Sequence, residues 1–327
     1  MLVAIQPDNY GPNDASSPIW TRLLREAGHE VREVDVYRAD ILEQLRGSTG
    51  FMWRHGHLPA MRQVARRLLP VAEEQLGLAV YPDQKTCWHY DDKIAQTYLL
   101  QAAGIPMPRT WVWFDRAEAV TWARQAEYPL VIKLWAGAAS SNVRLVPDKA
   151  EAQHWIERLF DVGVMSLDDP EPNRFSLIRH ALSGIAPAPW EIHRGYVLFQ
   201  EFLPWNEFDT RVTVIGNRAF GYRRFNRPGD FRASGSGNFD VDPAAIDLET
   251  VRMAFDVAHR LGVQSVAIDG LRDGTRRMVA EVSYTYVSWM VQSCHGHWDA
   301  EMNWHEGRMW PEEAQISDFL SRLSAKG

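Results

Sequence analysis

Along this chain, short apolar runs alternate with segments of helical spacing from the first residues onward. Leu2–Gln6 reads as a strand, followed by a polar turn with Gly11 and Pro12; Trp20, Leu23, Leu24 and Ala27 then recur at helical spacing and stop at Gly28. Val31–Tyr37 and Gly50–Trp53 read as further strands, with a helix from about Pro59 to Leu76 and a strand at Leu78–Tyr81. Strands alternating with helices predict an open, mostly parallel sheet for residues 1–84. Ligands of such sheets gather where the strands end, here at Asp8–Asn13 and at Arg54-His55-Gly56-His57, which makes Arg54 a candidate substrate contact.

A helix from about Asp91 to Ala103 ends at Gly104, and Ile105-Pro106-Met107-Pro108 turns the chain into new structure. Strand Thr110–Phe114, helix Arg116–Gln125, strand Leu130–Leu134, a glycine-serine loop at Gly137–Asn142, strand Val143–Val146 and helix Lys149–Phe160 follow. Residues 161–194, with Pro170, Pro172, Pro187 and Pro189, read as an irregular excursion. Strands are expected again at Tyr196–Phe202, Arg211–Ile215, Ala219–Arg224, Ser265–Asp269 and Arg277–Ser283, with a helix at about Ala244–Leu261.

Composition narrows the function classes. A net charge of -7 gives no general attraction to nucleic acid or anionic membrane, and no run approaches the length of a membrane span. The N-terminus lacks the basic flank and apolar stretch of a signal peptide, so a cytoplasmic location is expected. Cys87 and Cys294 stand far apart with no metal-type spacing and read as two reduced thiols. The 327 residues suit two or three small α/β units.

The chemistry lies in an ordered set of segments. Lys133 closes an apolar strand, where its ammonium can meet a phosphate as a point charge. The small residues that follow it let the backbone approach phosphate oxygens, without the ending of a P-loop. Gln200-Glu201-Phe202-Leu203 runs into Pro204, leaving main-chain groups that can bond a base edge, with the Glu201 carboxylate free to accept from an amino group. Asp209 could accept from ribose hydroxyls, and Arg232 could hold a transferring phosphoryl group with two bonds. Asp269 and Glu281, joined by a hairpin turn at Arg272-Asp273-Gly274, would meet at one end of the sheet and suit Mg2+; a salt bridge to Arg272, Arg276 or Arg277 is the simpler use for either. Ser283-Tyr284-Thr285-Tyr286 and the stretch through His297 mix aromatics with hydrogen-bonding groups, as a wall for a polar or sugar-like substrate would; His-x-His lacks a third metal ligand.

In order and spacing these segments resemble the ATP-grasp superfamily, nearest the branch with glutathione synthetase and the ligase that adds glutamate to a ribosomal protein, over roughly residues 85 to 285. The resemblance implies an α/β (α+β) architecture. An N-terminal open parallel domain, 1–84, precedes a two-lobed ATP-grasp domain, 85–327, with a nucleotide-covering lobe at about 110–195 and a C-terminal lobe at 196–327. It further implies nucleotide contacts at Lys93, Lys133, Glu201, Phe202, Leu203, Asp209, Arg232 and Ser234, with Lys133 and Arg232 serving catalysis. Asp269 and Glu281 would be the metal carboxylates, with Ser283 where the family usually has asparagine, and Arg54, Tyr284, Tyr286 and His297 would face substrate.

The implied activity is ATP- and Mg2+-dependent joining of a small-molecule carboxylate to an amine through an acyl phosphate, with Mn2+ an alternative metal. The C-terminal stretch is similar to ATP-grasp proteins associated with surface polysaccharide synthesis, which points to an amino acid or uronic acid as donor. A nucleotide-binding module without turnover and a kinase acting on a hydroxyl remain open, as do the substrates and the oligomeric state, a homodimer included.

Overall fold

The computed structural model describes residues 1–8, 14–137, 142–168 and 191–326. In chain order its elements are β1 (Leu2–Ile5), α1 (Ser17–Glu26), β2 (Glu30–Glu33), α2 (Ile41–Leu45), β3 (Gly50–Met52), α3 (Pro59–Pro70), β4 (Ala79–Tyr81), α4 (Gln84–Cys87) and α5 (Lys93–Ala102). Then come β5 (Thr110–Trp113), α6 (Arg116–Ala123), β6 (Leu130–Lys133), β7 (Val143–Val146), α7 (Lys149–Phe160), β8 (Val197–Glu201), β9 (Phe208–Ile215), β10 (Arg218–Phe225) and β11 (Phe239–Asp240). The chain finishes with α8 (Leu248–Leu261), β12 (Ser265–Asp273), β13 (Arg276–Ser283), α9 (Ser288–Ser293), β14 (Gly296–Trp298), β15 (Trp304–Glu306) and α10 (Pro311–Lys326).

The first sheet is parallel, in the order β2-β1-β3-β4, as the strand–helix alternation requires. One of its faces is covered from far along the chain. Ile316, Phe319 and Leu323 of α10 pack with Val3, Ile5, Trp20 and Met52, so the segment expected to end the C-terminal lobe completes the first domain's core. Gly50 marks how closely α10 sits: a Cβ there would lie 2.7 Å from the Phe319 ring.

A second, antiparallel sheet, β5-β8-β6-β7, packs its apolar face on α6 and α7 through Ala123, Ile132, Trp155, Leu159 and Phe199. Strand β8, expected to open the C-terminal lobe at residue 196, therefore belongs to this smaller sheet. The third sheet runs β13-β12-β9-β10-β14-β15, with β11 against β10, and packs on α8 through Val212, Val214, Val251, Ala254, Val266 and Ile268. Strands β11, β14 and β15 have no counterpart in the sequence reading. Most of the expected excursion at 161–194 lies outside the described residues; its ends meet in a bridge between Val164 and His193.

Candidate active site

The site is the gap between the second and third sheets. On the third sheet, alternation along β9 puts Asp209 and Arg211 on one face. Register then sets partners directly opposite: Arg224 across from Asp209, Asp269 across from Arg211, and Glu281 across from Asp269. The hairpin of β12 and β13 thus brings the two acidic residues side by side. Just beyond them the register steps from Asp269–Glu281 to Gly270–Val279, leaving Ala280 as the extra residue of a bulge, a device that re-aims neighbouring side chains.

Arg211 and Arg224 grip the floor of this gap. Arg211 donates to both Asp269 oxygens at 2.6 and 2.8 Å, and Arg224 reaches Asp269 at 2.8 Å and Asp209 at 2.7 and 2.5 Å. All four groups are buried or nearly so. Burial works against the ionised Asp269, but the two guanidiniums outweigh it and hold its carboxyl well below the usual range. Asp209 moves the opposite way: burial comes first and the charge of Asp269 adds to it, exceeding the help from Arg224. Two acids and two arginines in contact titrate as one unit, with the more strongly paired Asp269 staying ionised. The partners of Asp269 are therefore not the nearby arginines named by the sequence: Arg272 and Arg277 go to Asp247 at 3.3 and 2.6 Å, and Arg276 pairs with Asp273. Asp209 is paired with Arg224, one bond to each of its oxygens, and lines the smaller cleft.

From the smaller sheet, Lys133 ends β6 with its ammonium buried and its pKa lowered to about 8. Burial is the main cause, Lys93 adds to it, and Glu281 and Asp269 oppose it. Lys93 opens α5, where the Asp92 carboxylate caps the helix by accepting from Ala95 N–H at 2.9 Å. Its ammonium donates to the Gly137 carbonyl at 3.0 Å and lies 3.6 Å from Glu281. Asp91 accepts from Gly137 N–H at 2.8 Å. Arg232 pairs with Asp230 at 2.8 Å and donates to the Val143 carbonyl at 3.3 Å, tying the loop after β10 to β7 across the gap.

Two clefts meet here. One, enclosing about 860 Å³ of space open to solvent, is walled by Lys133, Phe202, Leu203, Arg232, Ser234 and Glu281. The other, about 1430 Å³, is bordered by Arg54, Asp91, Ser234, Glu281, Tyr286 and Trp289. Arg224, Ala233, Ser234 and Glu281 line both.

Other expected residues sit differently. The Glu201 carboxylate accepts from Arg109 N–H and Nε, both at 2.7 Å, and Glu201 lines the smaller cleft at the end of β8, past which ladder pairing stops. Ser283 Oγ donates to the Thr285 carbonyl at 2.8 Å and so turns back on its own chain. Tyr284 packs on Tyr90 and donates to the His55 carbonyl, which makes it a joint between domains and not a substrate wall. Tyr286 does line the larger cleft, with its hydroxyl fixed between Ser265 at 2.6 Å and Gln315 at 2.8 Å. Arg54 lines it too, but its guanidinium is a brace, donating to the Tyr286 carbonyl at 2.8 Å and to Asp14. His297 stacks on His305 at 5.1 Å on the far edge of the third sheet, outside both cleft linings. Both cysteines are free and buried, and most of the loops expected at 8–13 and 137–142 lie outside the described residues.

The donor set bears on a divalent metal. Among the described residues no three His, Cys, Asp or Glu side chains converge. Glu281 and the one lone-pair position left on Asp269 fit Mg2+, which commonly takes one or two carboxylates and completes its shell with phosphate oxygens and water.

Residues 181–293 match the family model of the RimK-like ATP-grasp domain. Over that segment the chain is similar to an ATP-grasp domain. It is 28% identical over 204 residues to the alpha-aminoadipate–LysW ligase LysX of Saccharolobus solfataricus, a match covering 62% of this chain and 64% of that relative's length. A RimK domain ATP-grasp protein of Sphaerobacter thermophilus superposes over 98% of this chain and 100% of its own, with a TM-score of 0.57 at 18% identity. The ATP-grasp ligase PsnB, solved with a minimal precursor, Mg and ADP, superposes over 99% of this chain and 98% of its own, with a TM-score of 0.57 at 17% identity. At these identities the structural matches speak to the fold.

Proposed function

We propose that this protein is an ATP-dependent carboxylate–amine ligase. What supports it is the junction of the two clefts: Glu281 borders both, faces Asp269 across the strand pair, and has the ammonium of Lys93 at 3.6 Å. ATP would lie in the smaller cleft with its base toward Phe202 and Leu203 and its phosphates toward Lys133 and Arg232. The larger cleft would hold the carboxylate donor, an amino acid, a uronic acid or the acidic end of a peptide, together with the amine.

A carboxylate oxygen of the donor attacks the γ-phosphorus, the bond to the β-bridging oxygen breaks, and ADP leaves. The amine then attacks the acyl carbon of the acyl phosphate, loses a proton, and phosphate departs as the amide forms. Mg2+ held by Glu281 and Asp269 would neutralise phosphate charge when bound. The chain's own share is positioning and charge: Lys133 and Arg232 would meet the negative oxygens, and no side-chain nucleophile is required.

One observation favours a second reading. Asp269 is clasped by two arginines and the Ser283 hydroxyl is bonded to the Thr285 carbonyl, as a module that binds nucleotide without turnover would permit. One experiment separates the two. The purified protein is mixed with ATP, Mg2+ and pooled amino acids, uronic acids and acidic peptides, with Glu281→Gln as control, while ADP, phosphate and new masses are followed. Phosphate release that needs paired substrates, yields a condensed mass and vanishes in the variant is the expected result; ATP binding with no turnover on any pool selects the second reading.

A further inference from the structure

The tip of the turn after β8 carries a tryptophan whose placement nothing in the fold explains. Trp205 is 95% exposed, and its backbone sits at φ +70°, the left-handed region that a bulky side chain rarely adopts. An indole left in water at a strained backbone position is costly twice over. The strain is also held firmly. Asn206, the next residue, donates to the Arg272 carbonyl at 2.9 Å and accepts from Arg272 N–H at 2.9 Å, while Asn226 donates to the Asn206 carbonyl at 2.6 Å. The turn is thereby pinned to the ends of β12 and β10, and Trp205 keeps its position without packing of its own.

That position borders the smaller cleft, whose lining also includes Phe202, Leu203, Phe231 and Leu271. Phe202 and Phe231 meet edge to face at 5.6 Å, forming an apolar inner end to the slot. We propose that Trp205 is the outer wall for the nucleotide base, stacking over the face of the purine that the inner walls leave open. The inference rests on the nucleotide reading of that cleft and adds to it a base-recognition residue in the hinge turn. The backbone strain is carried in the free protein, so none of it is added when the base arrives.

Calorimetric titration with MgATP and with magnesium tripolyphosphate, on wild type, Trp205→Gly and Trp205→Phe, tests it. Trp205→Gly should bind MgATP about five-fold or more weakly, the range of a lost base–aromatic stack, with tripolyphosphate affinity unchanged. Its melting temperature without ligand should equal or exceed that of wild type, because glycine adopts this φ without strain. Trp205→Phe, which keeps a ring, should bind close to wild type. Wild-type affinity for MgATP in Trp205→Gly, or an equal loss for both ligands, overturns the proposal. A wild-type protein that binds no MgATP refutes the nucleotide reading, and this proposal with it.

Discussion

Lys133 gives the sharpest check on how the site is built. Its pKa falls from 10.5 to about 8, through burial first and the charge of Lys93 next, against the pull of Glu281 and Asp269. A base whose folded pKa lies below its unfolded value costs stability while the unfolded chain holds the extra proton. The cost is therefore complete below about pH 8 and fades as the pH climbs to 10.5. A drop of about 2.5 units, at 1.36 kcal/mol per unit, amounts to roughly 3 kcal/mol at neutral pH. Lys133→Met keeps the stem and removes the charge. Against an unfolding entropy of roughly 0.7 kcal/mol/K for 327 residues, the variant should melt about 4 °C higher at pH 7, and the gain should shrink to about a quarter of that by pH 10. Affinity for MgATP should move the other way, down about ten-fold or more, as expected for a lost contact to a charged group. Scanning calorimetry of both proteins at pH 7 and pH 10, with MgATP titrations at pH 7, reads both effects. A variant that melts lower at pH 7, or keeps the same difference at both pH values, refutes the account of burial; unchanged nucleotide affinity refutes the phosphate role.

Arg224→Met leaves Asp209 without its partner and Asp269 short of one, so a loss of about 3 kcal/mol or more is expected in chemical unfolding, with Arg224→Lys recovering only part because a single ammonium cannot make the paired contacts. Gly50→Ala drives a methyl into the Phe319 ring and should loosen α10 from the first sheet; faster proteolysis within residues 311–326, with β9 to β13 still protected, is the sign to look for. His55 and His89 are buried and neutral, with pKa values lowered by burial to about 3 and about 4. Because the unfolded chain takes up these protons first, stability should fall as the pH drops below about 6.5. Melting curves from pH 7 to 4.5 should show it, and His89→Gln should flatten the decline.

What could be read from the sequence was chiefly what local pattern carries. Strand β6 ending on Lys133, the helix from about Asp91 that stops at Gly104 and the hairpin pairing Asp269 with Glu281 all follow from periodicity, a helix stop and a turn within a few residues. The partners of the acidic groups did not follow. Arg224 faces Asp209 only because β9 and β10 pair in one register, and Arg211 faces Asp269 across strands more than fifty residues apart in the chain. The alternation of Asp209 with Arg211 was the available signal, since it puts opposite charges on one strand face. Glu201 was read for its chemistry alone, and its pairing with Arg109, just before β5, depends on β5 and β8 lying side by side. Tyr284 and His297 share a stretch with Tyr286, yet one turns into the first domain and the other sits at the far sheet edge, a division set by tertiary packing.

The helix that closes the first sheet also sets a schedule for making the protein. Residues 1–81 emerge from the ribosome with Val3, Ile5, Trp20 and Met52 ready to be covered, but the side chains that cover them lie at Ile316, Phe319 and Leu323. At about 5–20 residues per second, the intervening chain of some 230 residues takes roughly ten to fifty seconds to synthesise. Throughout that interval the nascent chain displays an apolar patch whose cover, α10, has yet to be made.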